Sequence, residues 1–509
     1  MTLSNFDFKS FSRRRVLVFV SGPGYLEYPW ALETAVRLKK YQAEVEFHDL
    51  SLLAHRYAMR LQIGPFRLPW WTRKLLRKLI FSRESRMENV VQCTLRSFGI
   101  PYYRVAPSIS FSFVPYLRRS RTISQFKNTK WGEVPADEIL RTVISNRNRR
   151  YSDNFTRVSR SQEKQVRIPI CQTHDYCQAL EKSGNRSLSS VFVANGRQPV
   201  QAAITTSFRA LGKQVVTYES AGGYIFPDFL DLKLDYFYNS PHDVLEMQNK
   251  VSHFQSNLLG VVLEKARKTA LLTLSRRATP FTLNYLPSKS SVQKNLKLPP
   301  IVGRKIVFFA SSEWELSLLV KSNYLDIATN SSFNSQLRAV HALLEVMSAD
   351  DHLIVRLHPS DPGKKSEAES FWSKLTLDKR ITLINPNSDI DSYELAESAD
   401  LNFIWMSFLG AELILKNLRV GILGPAAYAK LVNEIYLQNT SSLKSWIDNP
   451  ITVSPDRLLA YFGYLTSGGF ENELTRYQNR VSATICGKPV DEVRPSLSRI
   501  PEILRLSIS

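Results

Sequence analysis

Short apolar runs alternate with helical stretches twice along this chain, and that alternation leaves few folds open. Arg13–Ser21 reads as a buried strand, SGPG follows as a tight turn, Pro29–Tyr41 reads as a helix and Ala43–Leu50 as a second strand. The pattern returns at Ser190–Ala194, with NGRQP opening a helix through about Leu211, and at Gln214–Tyr218, which ends at Glu219 before the loop SAGG. A second series begins with Lys305–Ala310. It continues through a helix over Ser335–Met347 and strands at His352–Leu357, Ile381–Ile384, Leu401–Trp405 and Arg419–Leu423, with short helices at Asp391–Asp400 and Gly410–Lys416. Strands alternating with helices form parallel, doubly wound sheets. The expected fold class is therefore α/β, with two Rossmann-like doubly wound domains facing a cleft.

Residues 276–303 are rich in Pro, Ser and Lys with little periodicity, and read as a linker. They divide a domain over 1–275 from one over 304–509, whose last helices are expected to cross back. Residues 52–165 are less regular and form a basic elaboration of the first domain, densest at Arg118–Arg121 and Arg147–Arg150.

The 67 Lys and Arg residues against 46 Asp and Glu give a net charge of +21, which calls for a polyanionic neighbour. Nucleic acid, an anionic membrane face and a phosphorylated substrate all qualify. Cys93, Cys171, Cys177 and Cys486 show neither zinc spacing nor the density of a disulfide framework, so a reducing cytosol is expected. Arg13–Arg15 before Val16–Val20 imitates a signal peptide, but the apolar run is too short and a first strand is the better reading. No run of about 18 apolar residues is present, so no spanning helix is expected. LPWWTRKLLRKLIFSR, from Leu68, does have the make-up of a membrane-surface helix. Trp70 and Trp71 stand at one end, Leu75, Leu76, Leu79 and Ile80 share a face, and Arg73, Lys74, Arg77 and Lys78 form the other. A helix packed on the core with a solvated basic face explains the same pattern.

Ligands of open parallel sheets sit outside the carboxyl ends of the strands. In the second series three such ends carry polar groups: SSE (Ser311, Ser312, Glu313), RLHP (Arg356, His358, Pro359) and SFLGAEL (Ser407, Gly410, Glu412). Pro359 stops its strand, so the imidazole of His358 is expected to face the crevice and donate to a phosphate oxygen. Ser407 offers a hydroxyl, Gly410 close backbone approach and the following helix free N–H groups. Glu412 is placed to accept from a ribose or a base. Together they predict a phosphate and sugar site. Each residue also has a plain structural reading, as a satisfied histidine, a helix cap or a turn.

RLHP, DSYELAESAD and SFLGAELILKNLRVGILG together resemble the donor half of bacterial capsule and surface-polysaccharide glycosyltransferases. Within that group they are similar to the capsule polysaccharide biosynthesis proteins, which include the Kdo transferases, and the bacterial sialyltransferases carry His-Pro and serine motifs of this kind. VFVANGRQPVQAAITTSFRALGKQVVTYESAGG resembles the end of their acceptor domain. The resemblance covers about residues 190–240 and 305–425. It implies the GT-B fold, a nucleotide-sugar donor and no bound metal, with His358 and Ser407 on the donor phosphate and Glu412 on the ribose. Related chains often carry two adjacent hydroxyl residues where this one has Met406–Ser407 and then Phe408, so CMP-, UDP- and GDP-sugars stay open as donors.

Glycosyl transfer needs a base on the acceptor hydroxyl and stabilisation of the leaving phosphate. Glu219 is the first candidate for the base, with Glu27 and Asp228 as alternatives. Gly22, Gly24, Asn195 and Arg197 complete an acceptor side, in which Arg197 either binds phosphate or pairs with Glu219. The spaced aspartates of DLKLD and SDIDS read as loop or cap carboxylates rather than metal ligands. The expected protein is a cytoplasmic enzyme of surface-polysaccharide assembly, peripheral on the membrane face, with a saccharide or lipid-linked acceptor. A polyol-phosphate transferase or nucleotide-sugar epimerase of the same fold, a catalytically inert scaffold, and a nucleic-acid-binding protein are the alternatives. The last lacks any recognised nucleic-acid motif.

Overall fold

The computed structural model describes residues 6–21, 27–51, 88–105, 120–126, 128–137, 140, 157–183, 187–194, 199–220, 233–238, 243–275, 301–311, 333–358, 372, 375, 378–386, 388, 390–479 and 482–491. The first sheet grows from β1 (Arg15–Val20), whose RVLVFV run is buried on both faces, as parallel strands between helices require. β2 (Glu44–Asp49) and β3 (Tyr102–Arg104) pair in parallel on one side of it. Between β3 and the next sheet strand the chain forms two small ribbons: β4 (Ser120–Thr122) with β7 (Arg157–Ser159), and β5 (Lys130–Trp131) with β6 (Val134–Pro135). β8 (Leu188–Ala194) and β9 (Gln214–Ser220) continue the parallel sheet on the other side, and β10 (Leu234–Phe237) closes that edge antiparallel. The order is β10-β9-β8-β1-β2-β3.

Alternate residues of β1 feed two cores. Val16, Val18 and Val20 meet α1 (Glu27–Lys40), which supplies Trp30, Leu32 and Val36. A helix over residues 88–97, α2, adds Val91 and Leu95 to that core. Leu17 and Phe19 face the other way. They meet Cys177 of α3 (Arg160–Ser183) and Ile204 and Phe208 of α4 (Pro199–Ala210).

The second sheet contains β11 (Lys305–Phe309), β12 (His352–Arg356), β13 (Ile381–Ile384), β14 (Leu401–Ile404) and β15 (Val420–Ile422), all parallel, in the order β13-β12-β11-β14-β15. In both sheets the first strand is central and the order reverses beside it, between β1 and β8 and between β11 and β14. Two doubly wound α/β units of this kind in one chain are the make-up of the GT-B fold.

The domain boundary differs from the expected one. α5 (Val244–Phe254) and α6 (Gly260–Leu274) precede the linker, yet Val251, Phe254, Ala266 and Ala270 belong to the second core. Gln248 of α5 also donates to the Ala426 carbonyl at 2.8 Å. The reason is an apolar face that matches the second sheet's helices, so the division falls before residue 244 rather than at 275. Further along, α7 (Gln336–Val346), α8 (Ser392–Glu397), α9 (Leu409–Leu415), α10 (Thr440–Asp448) and α11 (Leu459–Ser467) complete the second unit. The chain then returns to the first. Leu234 and Phe470 exchange backbone hydrogen bonds of 3.0 and 2.7 Å, and Phe470 and Ile485 are buried in the first core. Among the described residues the return is made by strands, with β16 (Thr475–Asn479), β17 (Ser482–Ile485) and β18 (Lys488–Asp491) forming an antiparallel sheet.

Within the elaboration, α3 is a 24-residue helix with Pro169 inside it, and it begins before the expected end at residue 165. The Trp70, Trp71, Arg73, Lys74, Arg77 and Lys78 segment and the cluster at 147–150 lie outside the described residues. Among the described residues no helix is long and apolar enough to cross a membrane, and all four cysteines are free.

Candidate functional site

The carboxyl ends of β11, β12 and β14 lie side by side. Ser311 follows β11 and is held from both sides by Gln336, the first residue of α7. Its N–H donates to Gln336 Oε1 at 2.7 Å and its carbonyl accepts from Nε2 at 3.1 Å. Ser335 caps the same helix by accepting from Arg338 N, which fixes where Gln336 starts. Ser311 Oγ accepts from Met406 N–H at 3.3 Å, tying the ends of β11 and β14 together across the point where the order reverses.

His358 stands two residues beyond β12 and is partly buried. Burial, with help from the Arg356 guanidinium, pushes its imidazole down to about 4. At neutral pH the ring is uncharged, with one N–H to donate and one nitrogen to accept. Arg356 is not free to hold a phosphate. Its guanidinium donates to the carbonyls of Asn385 and Ser388, the latter at 3.2 Å, and so ties β12 to the loop after β13. Burial lowers it to about 10 and leaves its Nε without a hydrogen bond.

Ser407 opens the turn into α9. Its hydroxyl accepts from Leu409 N–H at 3.2 Å, and its carbonyl accepts from the Tyr428 hydroxyl at 2.8 Å. Two expectations for this segment are corrected. Gly410 does not serve close approach of a ligand: a Cβ there would lie 2.2 Å from the Tyr428 hydroxyl, so the glycine makes room for that tyrosine. Glu412 is buried rather than presented to a ribose, and its charge adds to the burial that pushes the Tyr428 and Tyr461 hydroxyls up.

The first sheet carries a second polar cluster at its own reversal point. Glu27 is buried in the first turn of α1, just past β1. Oε1 accepts from Ser21 N–H at 2.9 Å, from Ser21 Oγ at 2.8 Å and from Gln201 Nε2 at 3.3 Å. Gln201 is on α4, directly after β8, so the carboxyl bridges β1 and β8. Burial outweighs these bonds and raises its pKa, with the Asp49 charge adding to the rise. A buried carboxyl with an elevated pKa at the reversal point of a parallel sheet is well suited to proton transfer.

Glu219 lies near the carboxyl end of β9. β9 runs to Ser220, so Glu219 is its penultimate residue and pairs in register with Asp235 on the antiparallel edge strand. Asp235 itself is buried and accepts from Lys250 at 3.0 Å and from the Tyr464 hydroxyl at 2.6 Å, rather than lying in a solvated loop. Asp391 caps α8 by accepting from Tyr393 and Glu394 N–H groups. Gly22, Gly24, Asn195, Arg197, Asp228, Ser312, Glu313 and Pro359 fall outside the described residues. No group of three His, Cys, Asp or Glu side chains among the described residues could hold a metal ion.

Ser21, Gln201, Gln336 and Tyr428 were not singled out from the sequence. Ser21 and Gln201 flank the expected acceptor loops, which is the only signal they offered. Gln336 and Tyr428 gave none.

No protein-family model matches the chain, and no curated relative matches it. Solved structures do. The Thermosulfurimonas dismutans KpsC beta Kdo 2,7 transferase is 15% identical, with 72% of this chain and 95% of that one covered and a TM-score of 0.34. The beta Kdo 2,4 transferase of the same KpsC is 13% identical over 64% and 89%, with a TM-score of 0.32. A putative UDP-N-acetylglucosamine 2-epimerase from Listeria monocytogenes is 12% identical over 91% and 92%, with a TM-score of 0.24. At these values the fold assignment rests on the sheet orders given above.

Proposed function

We propose that this chain is a glycosyltransferase that moves a sugar from a nucleotide-sugar donor to a saccharide or lipid-linked acceptor in surface-polysaccharide assembly. One observation carries the reading. The two sheets each present a polar cluster where their strand order reverses, and the two clusters are opposite in character. The first holds a carboxyl whose proton affinity is raised. The second holds a neutral imidazole and hydroxyls that suit an anion.

In the proposed reaction Glu27 takes the proton from the acceptor hydroxyl. The acceptor oxygen bonds to the anomeric carbon as the bond from that carbon to the phosphate oxygen breaks. The electron pair leaves with the nucleotide phosphate, where the His358 N–H, Ser311 and Ser407 stabilise it. Hydrogen bonds from Ser21 and Gln201 hold Oε1 of Glu27 in place, which orients the carboxyl for that proton transfer. Glu27 thereby replaces Glu219 as the proposed base. The net charge of +21 suits an anionic donor and an anionic or lipid-linked acceptor.

The test is thermal stabilisation by CMP, CDP, UDP and GDP, since a ligand that binds only the native state raises the melting temperature. At least one nucleotide should stabilise the wild-type protein, and His358→Ala should abolish that shift. A panel of the corresponding nucleotide sugars then reads the reaction. Sugar transfer supports the proposal, while C2 epimerisation without transfer would replace it with the epimerase reading. No stabilisation by any of the four nucleotides would remove it.

A further inference from the structure

We infer that Tyr428 is a positioning residue for the anion site, and that it sets the height of the Ser407 turn beneath a donor phosphate. This rests on the proposed function and names a residue outside the groups that would touch the donor. Tyr428 lies after β15, beyond the neighbouring strand's end, and is 1% exposed. Its hydroxyl donates to the Ser407 carbonyl at 2.8 Å, the same carbonyl that receives Gly410 N–H at 3.2 Å.

The space for that hydroxyl exists only because residue 410 has no side chain: a Cβ there would fall 2.2 Å from the phenol oxygen and 2.8 Å from Ile404. Burial keeps the phenol protonated by pushing its pKa well up, so it stays a donor throughout the physiological range. The ring is itself held by Tyr461, at 5.2 Å between centroids. The turn is tied at three further points, through Met406 N–H to Ser311, Leu409 N–H to the Ser407 hydroxyl, and Gly424 N–H to the Trp405 carbonyl at 3.1 Å. Those bonds fix the two flanks. Tyr428 reaches the Ser407 carbonyl from outside the turn, so it determines how the Ser407 hydroxyl is presented to a donor phosphate.

The experiment is titration calorimetry of wild type, Tyr428→Phe and Gly410→Ala with whichever of CMP, CDP, UDP and GDP stabilises the wild type, alongside melting curves without nucleotide. Phe keeps the ring and removes the donor, so the fold should hold. Its nucleotide Kd is expected to rise about fivefold to tenfold, as when the shifted turn costs the donor phosphate one hydrogen bond to Ser407. Gly410→Ala pushes the phenol aside and should weaken binding at least as much. In a turnover assay Tyr428→Phe should raise donor KM by a similar factor and leave acceptor KM unchanged, a split that a general loss of stability would not produce. A Tyr428→Phe Kd within twofold of wild type overturns the inference while leaving the proposed function standing. Absence of nucleotide binding in the wild type overturns both.

Discussion

At the residue scale, the two proposed catalytic groups have opposite consequences for stability. His358 holds its proton only near pH 4 in the folded chain, whereas an exposed histidine titrates near 6.5. The unfolded chain therefore binds more protons between these values. Stability is fully present above about pH 6.5 and is lost as pH falls towards 4, by on the order of 3 kcal/mol. His48, buried between Phe19 and Tyr103, is lowered in the same direction by burial and adds to the slope. His358→Gln should flatten the fall in melting temperature between pH 7 and 4.5, and a slope unchanged by the substitution would count against a buried neutral ring. Glu27 works the other way. Its raised pKa means that the unfolded chain releases the proton first, so the group costs stability as pH rises above the usual carboxylate range. Glu27→Gln keeps an oxygen for Ser21 and loses the base. Its melting temperature should equal or exceed the wild type's at pH 7, while transfer falls by roughly a hundredfold or more. Transfer at the wild-type rate would return the role of base to another residue.

At the element scale, α1 does two jobs. Its first turn carries Glu27, and the rest of the helix grips the returning chain. Glu33 is buried and accepts from three successive backbone N–H groups, those of Glu473 at 3.0 Å, Leu474 at 2.7 Å and Thr475 at 2.6 Å. One turn further on, Arg37 donates to the Glu471 carbonyl and lies over the Phe470 ring at 4.8 Å, and Lys40 pairs with Glu473. Residues 33, 37 and 40 share one face at helical spacing, so a single helix side holds the strand that enters β16. Glu33→Ala leaves these donors unpaired and should destabilise the protein by about 2–3 kcal/mol. Limited proteolysis should then cut between residues 468 and 476 faster than in wild type. Equal cleavage rates would show that the strap is held elsewhere. Pro29–Tyr41 was readable as a helix, but nothing in it pointed to a partner more than 430 residues away.

At the scale of the whole molecule, each unit borrows from the other's stretch of chain. The second core takes Val251, Phe254, Ala266 and Ala270 from before the linker, and the first core takes Phe470 and Ile485 from after α11. Asp235, on the edge of the first sheet, accepts from Lys250 of α5 and Tyr464 of α11, so the exchange is also polar. Units joined in this way should unfold together, and calorimetry is expected to show one transition, with calorimetric and van't Hoff enthalpies in agreement. Two separated transitions would mean that the exchanged elements contribute little. A chain ending at Ser467 should lose the first unit preferentially, because Phe470 no longer covers Phe8 and Tyr236.

The sequence alone determined the two strand series, because strands buried between helices must be continuous apolar runs, and RVLVFV, KIVFF and HLIVR could be little else. It also placed His358, Ser311 and Ser407 near strand ends, since Pro359 and the polar turns mark where those strands stop. What those groups do was left to the tertiary structure. Arg356 and Gly410 sit in the right motif, yet one is bound to two carbonyls and the other accommodates a tyrosine from the turn beyond the next strand. Glu27 gained over Glu219 only through burial against Ser21 and Gln201, a contact 174 residues apart in sequence. Local pattern sets which residues reach an edge. Proton affinity, hydrogen-bond partners and domain membership depend on what else is packed there, and those contacts come from distant parts of the chain.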